Sequence, residues 1–363
     1  MNILIVKTSA IGDVTHTLPA LNAIRAHYPD AHITWVVEEA AADIVEGHLA
    51  LNRVLVSLRK SWFHALKGGK IVQVIREVSR FITQLRDTHY DLLIDFQGLL
   101  KSSLWVMLAK ADRKVGFGRG MEHAECSYLF LNERVPAVDM NRHALERELV
   151  LLEGMGIPCQ SVVYEFTIPK ENMDEASALL RENGLAQGDH LVAINPMTKW
   201  PTKLWEHKRF AEVADRLIKE GIRVAFTGSL SDRDAIDQIC RHMVHEAIRL
   251  DGKTSLKTLA ALYQRSRVVL STDSGPMHIA AAVGTPVIAL FGPTAPWRTG
   301  PYGPQHTVLR AGVTCSPCFK KRCLTTEYEE MACLQRITVE QVVETVLQKL
   351  DASPTLTPDR VVH

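Results

Sequence analysis

Residues 3–13 read ILIVKTSAIGD: four apolar residues, a turn through Lys7, Ser9 and Gly12, and then VTHTLPAL, which has helical character. A strand that passes at once into a helix turns main-chain N–H groups and the positive helix end toward one place, which suits an anionic or polar ligand. Gly12 permits close approach of a ligand to the backbone. Asp13 has two readings here, a helix cap or an ionised base beside the ligand, and a helix N-terminus favours the carboxylate in both. A dinucleotide fingerprint would need G-x-G-x-x-G, and a single Gly is present, which argues against a nicotinamide-dependent oxidoreductase.

Outward from this stretch, short β-rich runs alternate with amphipathic ones: HITWVVEE, RVLVSL, DLLIDFQ and RKVGFG. Between positions 70 and 90, Ile71, Val74, Ile75, Val78, Ile82 and Leu85 recur every three or four residues and predict a helix with one buried face. HALERELVLLEGMG reads as the helix closing this half. Residues 157–170, IPCQSVVYEFTIPK, carry two prolines and little periodicity and read as a crossover. The alternation then restarts with HLVAINP, IRVAFTG, AIRLDG, RVVLSTD and PVIALFG, with helices beginning near Glu206, Asp232, Ser255 and Gly275. The expected fold is α/β: two Rossmann-like parallel-sheet domains, 1–165 and 166–350, facing a central cleft at their strand ends, then a tail at 351–363.

The 363 residues carry a net charge of +1, which excludes a general attraction to nucleic acid and makes any basic site local. Seven cysteines, an odd number in a long chain, fit a reducing compartment, so the expected location is the cytosol. The apolar run before Lys7 is too short for a signal-peptide core or a bilayer span, so any membrane contact is expected to be peripheral.

Three further stretches carry chemistry. STDSGPMHIAAAVGTPVIALFGPT, residues 271–294, feeds a strand into Ser274-Gly275-Pro276 and places His278 on the first helical turn; the FGPT loop follows the next strand. Two such loops at neighbouring strand ends make a diphosphate cradle. NPMTKWPTKLWEHKRF, residues 195–210, brings Lys199 and Lys203 into a loop of the same edge, with Lys199 reading as a solvated charge. Cys315, Cys318, Cys323 and Cys333 begin with C-x-x-C and could hold zinc or an iron–sulfur cluster, or be plain reduced thiols, since the later spacings match no common finger.

Taken together, KTSAIGDVTHTLPAL, DFQGLLKS from Asp95, TKLWEHKRFAEVADRL from Thr202 and residues 271–294 resemble glycosyltransferase family 9 over nearly the whole chain. The nearest likeness is to bacterial ADP-heptose:lipopolysaccharide heptosyltransferases of type I. The resemblance implies a GT-B fold with the acceptor on the N-terminal domain and the nucleotide sugar on the C-terminal one. It implies inverting transfer of heptose from ADP-heptose to a Kdo-containing lipopolysaccharide core, with no cofactor or metal required, at the cytoplasmic face of the inner membrane. Asp13 matches the family's catalytic base and Lys203 the lysine that neutralises the diphosphate. Asp273, Ser274, Gly275 and His278 match the donor loop, Asp232 a position near the ribose, and Thr254 the adenine pocket. Lys7, Arg59, Lys60 and Arg142 are expected to form a basic acceptor site for Kdo-lipid A. In RGMEHAECS, residues 119–127, the sequence departs from the family's acceptor loop, and His123 stands where an arginine is expected. The alternatives are a related transferase with another donor or a later core acceptor, and a noncatalytic sugar-nucleotide-binding protein.

Overall fold

A computed structural model describes residues 1–121, 125–159, 161–186 and 188–352; His123 and residues 353–363 of the tail expected at 351–363 lie outside them, while 351 and 352 end the helix Val339–Ala352. The chain forms two compact units, the first Met1–Thr167 and the second from Ile168 on. The first holds β1 (Asn2–Val6), β2 (His32–Glu38), β3 (Arg53–Ser57), β4 (Tyr90–Asp95), β5 (Ala111–Phe117) and β6 (Glu133–Val135), all parallel, in the order β3-β2-β1-β4-β5-β6. The second holds β7 (Leu191–Asn195), β8 (Arg223–Phe226), β9 (Ile248–Arg249), β10 (Val268–Thr272), β11 (Val287–Leu290) and β12 (Thr307–Leu309), also parallel, ordered β12-β11-β10-β7-β8-β9. Numbered within its own unit, each sheet has the strand order of dinucleotide-binding folds, so the fold is two Rossmann-like units, as expected.

The central strands are continuous apolar runs because helices cover both faces of a parallel sheet: Ile3 to Val6 and Leu191 to Ile194 are fully buried. In each sheet the order in which strands are added reverses between the first and fourth strands, β1 and β4 in one unit, β7 and β10 in the other. Loops leaving those neighbouring strands diverge and open a crevice at their carboxyl ends. The edge strands β6 and β12, three residues each, are absent from the sequence reading.

The helix expected at 70–90 spans Ile71–Arg86, but its buried stripe is Val74, Phe81 and Leu85, with Val78 packed against the same core. Ile71 and Ile75, expected on that face, are exposed. The stripe is set by Trp62 of the preceding helix, Arg59–Lys67, whose ring meets Phe81 at 5.8 Å, and by Trp105, 4.7 Å from Phe81. Three aromatic rings fill the space under the helix pair and rotate Ile71 and Ile75 outward.

Candidate active site

In the first unit, the loop leaving β1 is fastened to the loop leaving β4. The Gln97 side-chain oxygen accepts from the Thr8 and Ser9 N–H groups at 3.0 Å each and from the Thr8 hydroxyl at 3.1 Å. Gln97 is in turn held by Asp95, whose Oδ1 accepts from the N–H groups of Gln97 (3.0 Å) and Gly98 (3.1 Å). Asp13, third residue of the helix Ile11–His27, accepts the Ala10 N–H on Oδ2 at 2.7 Å. It therefore closes the helix end as a capping-box acid does. Its Oδ1 has no protein hydrogen bond among the described residues, so the same carboxylate has one oxygen committed to the cap and one available to a proton donor.

Asp13, Glu38, Arg59 and Lys60 all act electrostatically on Lys101. The Lys101 ammonium donates to the Ser9 hydroxyl. Burial pulls its pKa down, helped by Arg59 and Lys60 and opposed by Glu38 and Asp13. Glu38, buried at the end of β2, accepts from Arg59 Nε and Nη2 at 3.0 and 2.8 Å, and Lys60 Nζ lies 3.7 Å from its other oxygen. Of the expected acceptor cations, Arg59 and Lys60 thus share the surroundings of Asp13 and Lys101, partly offset by Glu38. Lys7 requires correction. It is 7% exposed, its ammonium pairs with buried Glu148 at 2.6 Å and donates to the Phe96 carbonyl at 3.0 Å, so it sits inside the unit rather than in an open basic site. Burial draws the Lys7 pKa down, but Glu148 and Asp13 outweigh it and hold the ammonium above its ordinary range. Arg142 is exposed in the loop before the helix Ala144–Gly154.

Burial pushes the Asp95 carboxyl up to about 6, against the N–H groups of Gly98 and Gln97 and the charge of Lys7. Its unfolded value lies near 3.9, so between about pH 4 and 6 the folded chain holds a proton the unfolded chain has lost. This group's contribution to stability is therefore greatest below pH 4, falls as pH rises, and is flat above about 7. Asp95→Asn retains the Oδ1 acceptor without the charge. Urea unfolding of the two proteins at pH 4.5 and 7.5 is expected to give a difference that shifts in favour of the variant at the higher pH; a pH-independent difference would contradict the assignment.

In the second unit, Lys203 ends the short turn Pro201–Lys203 after β7, and its ammonium lies 2.6 Å from Asp273 Oδ2 and 4.7 Å from the centre of the Trp200 ring. Asp273 follows β10 and is buried; its Oδ2 also accepts from the Thr294 hydroxyl of the FGPT loop at 2.5 Å, and its carbonyl accepts from Thr198 at 3.1 Å. One carboxylate therefore ties together the loops after β7, β10 and β11. Ser274, in extended conformation, precedes the helix Gly275–Ala282 and donates to Asn195 Oδ1 at 3.3 Å. The first-turn N–H groups of this helix have no intrahelical acceptor, and a cation stands beside them, which is the makeup of an anion site. His278 is buried in that first turn. Because the sheet is parallel, the loops after β8 and β9 leave the same edge. Asp232 lies in the first, its Oδ2 capping the turn through the Ser229 N–H (2.8 Å) and hydroxyl (2.6 Å); Thr254, half-buried, lies in the second. Lys199 is exposed.

Cys315, Cys318, Cys323 and Cys333 line one pocket of about 200 Å³ together with Thr202 and Pro293. Among the described residues no group of three or more His, Cys, Asp or Glu is arranged to hold a metal ion, so these thiols gather without forming a ligand set. Burial and the three neighbouring thiols push Cys333 up to about 11. The segment braces the loops after β7 and β11: Thr202 donates to the Lys320 carbonyl at 2.7 Å, and the Cys318 and Phe319 N–H groups donate to the Pro293 carbonyl at 3.0 and 2.8 Å.

Gln97, Lys101, Glu38 and Thr294 are the site residues that the sequence reading did not single out. DFQGLLKS and FGPT contain three of them, but their partners are 21 to 92 residues away in the chain, a distance that no local pattern spans.

The model of glycosyltransferase family 9 (heptosyltransferase) matches residues 78–329. The chain belongs to this family. It is 32% identical over 336 residues to lipopolysaccharide heptosyltransferase 1 of Pseudomonas aeruginosa, covering 91% of this chain and 89% of that one. The crystal structure of a family 9 glycosyltransferase from Veillonella parvula superposes with a TM-score of 0.82 at 26% identity, covering 97% and 98% of the two chains. The Escherichia coli heptosyltransferase WaaC, solved with ADP, superposes with a TM-score of 0.77 at 27% identity, covering 96% and 100%. The two Rossmann-like units are thus those of a GT-B glycosyltransferase, and both switch-point sites belong to a transferase of family 9.

Proposed function

We propose that this family 9 member transfers a heptose from ADP-heptose to the Kdo-containing inner core of lipopolysaccharide, with inversion and with no metal required. The observation that carries the reading is the anion site of the second unit, where the Lys203 ammonium pairs with Asp273, two residues before the Gly275–Ala282 helix. A departing diphosphate meets a positive charge and a set of N–H donors there, and this stabilises charge that develops only as the glycosidic bond breaks. In the first unit, Asp13 Oδ1 takes the proton of an acceptor hydroxyl while that oxygen attacks the anomeric carbon. Arg59, Lys60, Lys101 and Arg142 supply cations for the carboxylates and phosphates of a Kdo-lipid A acceptor. Thr254 and Asp232, on loops of the donor-side sheet edge, serve the nucleoside. Such an acceptor places the enzyme at the cytoplasmic face of the inner membrane.

The test is incubation of the purified protein with ADP-heptose and Kdo-lipid A, following ADP release and acceptor mass. The expected result is one ADP released for each heptose gained by the acceptor. Transfer from another nucleotide sugar but none from ADP-heptose would overturn the donor assignment while leaving the fold intact.

A further inference from the structure

The helix pair Arg59–Lys67 and Ile71–Arg86 is anchored from within by Trp62, Val74, Phe81 and Leu85, all buried in the first unit's core. Trp62 is fixed further by its indole N–H, which donates to Glu77 at 3.0 Å. The outward face is therefore held in one orientation, and it is apolar. Phe63 is 57% exposed, Ile71 55%, Val72 72% and Ile75 62%, with Leu66 at 45%. These five residues fall within thirteen positions on either side of the Gly68-Gly69 turn, so the exposed apolar surface is concentrated at the tip of a helical hairpin.

The tip is bordered by one sign of charge. From position 61 to 80 the chain has Lys67, Lys70, Arg76 and Arg80 against the single acid Glu77, a surplus of three in a chain whose total is +1. Glu77 is engaged within the hairpin, its two oxygens accepting from Trp62 and Gln73. Apolar side chains flanked by lysine and arginine match a bilayer interface, where the aliphatic and aromatic groups enter the headgroup boundary and the cations meet anionic lipid. No helix among the described residues is long and apolar enough to cross a membrane, so this contact lies at the surface.

We propose that this hairpin tip docks the enzyme on an anionic lipid bilayer. The inference rests on the lipid-linked acceptor of the reading above for its purpose, and on the exposed residues and charge for its ground. A water-soluble protein exposing three neighbouring β-branched residues on one helix face needs a cover, and the basic rim selects an anionic one.

The test uses the full chain and vesicles free of any sugar acceptor, so that docking and transfer are scored separately. Co-sedimentation is measured with pure phosphatidylcholine and with phosphatidylcholine containing phosphatidylglycerol. The wild-type chain is expected to bind the anionic vesicles at least tenfold more tightly and to release at high salt. The triple variant Ile71→Ser, Val72→Ser, Ile75→Ser and the charge variant Lys67→Glu, Lys70→Glu are each expected to lose about tenfold or more of that binding. Thermal unfolding is expected to change little, because the substituted side chains lie mostly in solvent. Transfer to a deacylated, water-soluble acceptor is expected to be unchanged in the triple variant. Wild-type binding that ignores lipid charge, no wild-type binding, or variants that bind as wild type would overturn the proposal. So would lipid-free dimerisation abolished by the triple variant, which would assign the tip to a second copy of the chain.

Discussion

Asp13→Asn is expected to lower kcat by about a thousandfold or more while ADP affinity stays within about twofold of the wild-type value. The separation follows from where the two groups act. In the proposed mechanism ADP is held by the second unit's loops, whereas Asp13 acts on the acceptor hydroxyl in the transition state. Asparagine is the informative replacement because its side-chain oxygen can still accept the Ala10 N–H that Asp13 accepts at 2.7 Å. The helix cap survives and the basicity does not. Asp13→Ala removes both, and its unfolding is expected to show an added cost of about 1 kcal/mol. Steady-state kinetics, ADP titration and thermal unfolding on the two variants check all three expectations. An asparagine variant with near-normal turnover would return Asp13 to capping alone.

Lys203→Met is expected to lose about a hundredfold or more in kcat/KM and to weaken ADP binding, since in the proposed mechanism the ammonium meets the diphosphate both bound and departing. The substitution has a structural consequence too. Asp273 Oδ2 loses a partner at 2.6 Å and keeps the Thr294 hydroxyl. Because the Lys203 side chain is partly solvated, the stability loss is expected to be on the order of 2 kcal/mol, below the 3–5 kcal/mol of a fully buried pair. The double variant Lys203→Met, Asp273→Asn removes both charges, so it is expected to regain most of the stability and none of the activity. Recovery of activity in the double variant would mean that Lys203 acts only by neutralising Asp273.

The parts of this molecule that could be read from sequence are those where one segment contains its own signal. ILIVKTSAIGD has strand, turn and helix start in eleven residues, and STDSGPMHIAAA repeats that design in the second half. Burial on both faces makes the central strands plain apolar runs, so ten of the twelve strands among the described residues are legible and β6 and β12 are not. Side-chain partners across the sheet were not legible. Lys7 looks like a surface cation in KTS, and only Glu148, far along the chain, makes it an interior one. Periodicity placed Ile71 and Ile75 on the buried stripe, but the choice among overlapping apolar stripes was made by Trp62 and Trp105 on other helices. The same rotation that defeated the sequence expectation leaves the exposed tip proposed to meet the membrane.

The account depends most on Asp13 removing a proton rather than forming a bond to the sugar. A carboxylate at a helix end would suit either role, but only direct displacement inverts the anomeric centre. The measurement is the anomeric configuration of the new linkage, read by NMR on product made from ADP-heptose and Kdo-lipid A. The predicted result is the configuration opposite to that of the donor; retention would contradict it.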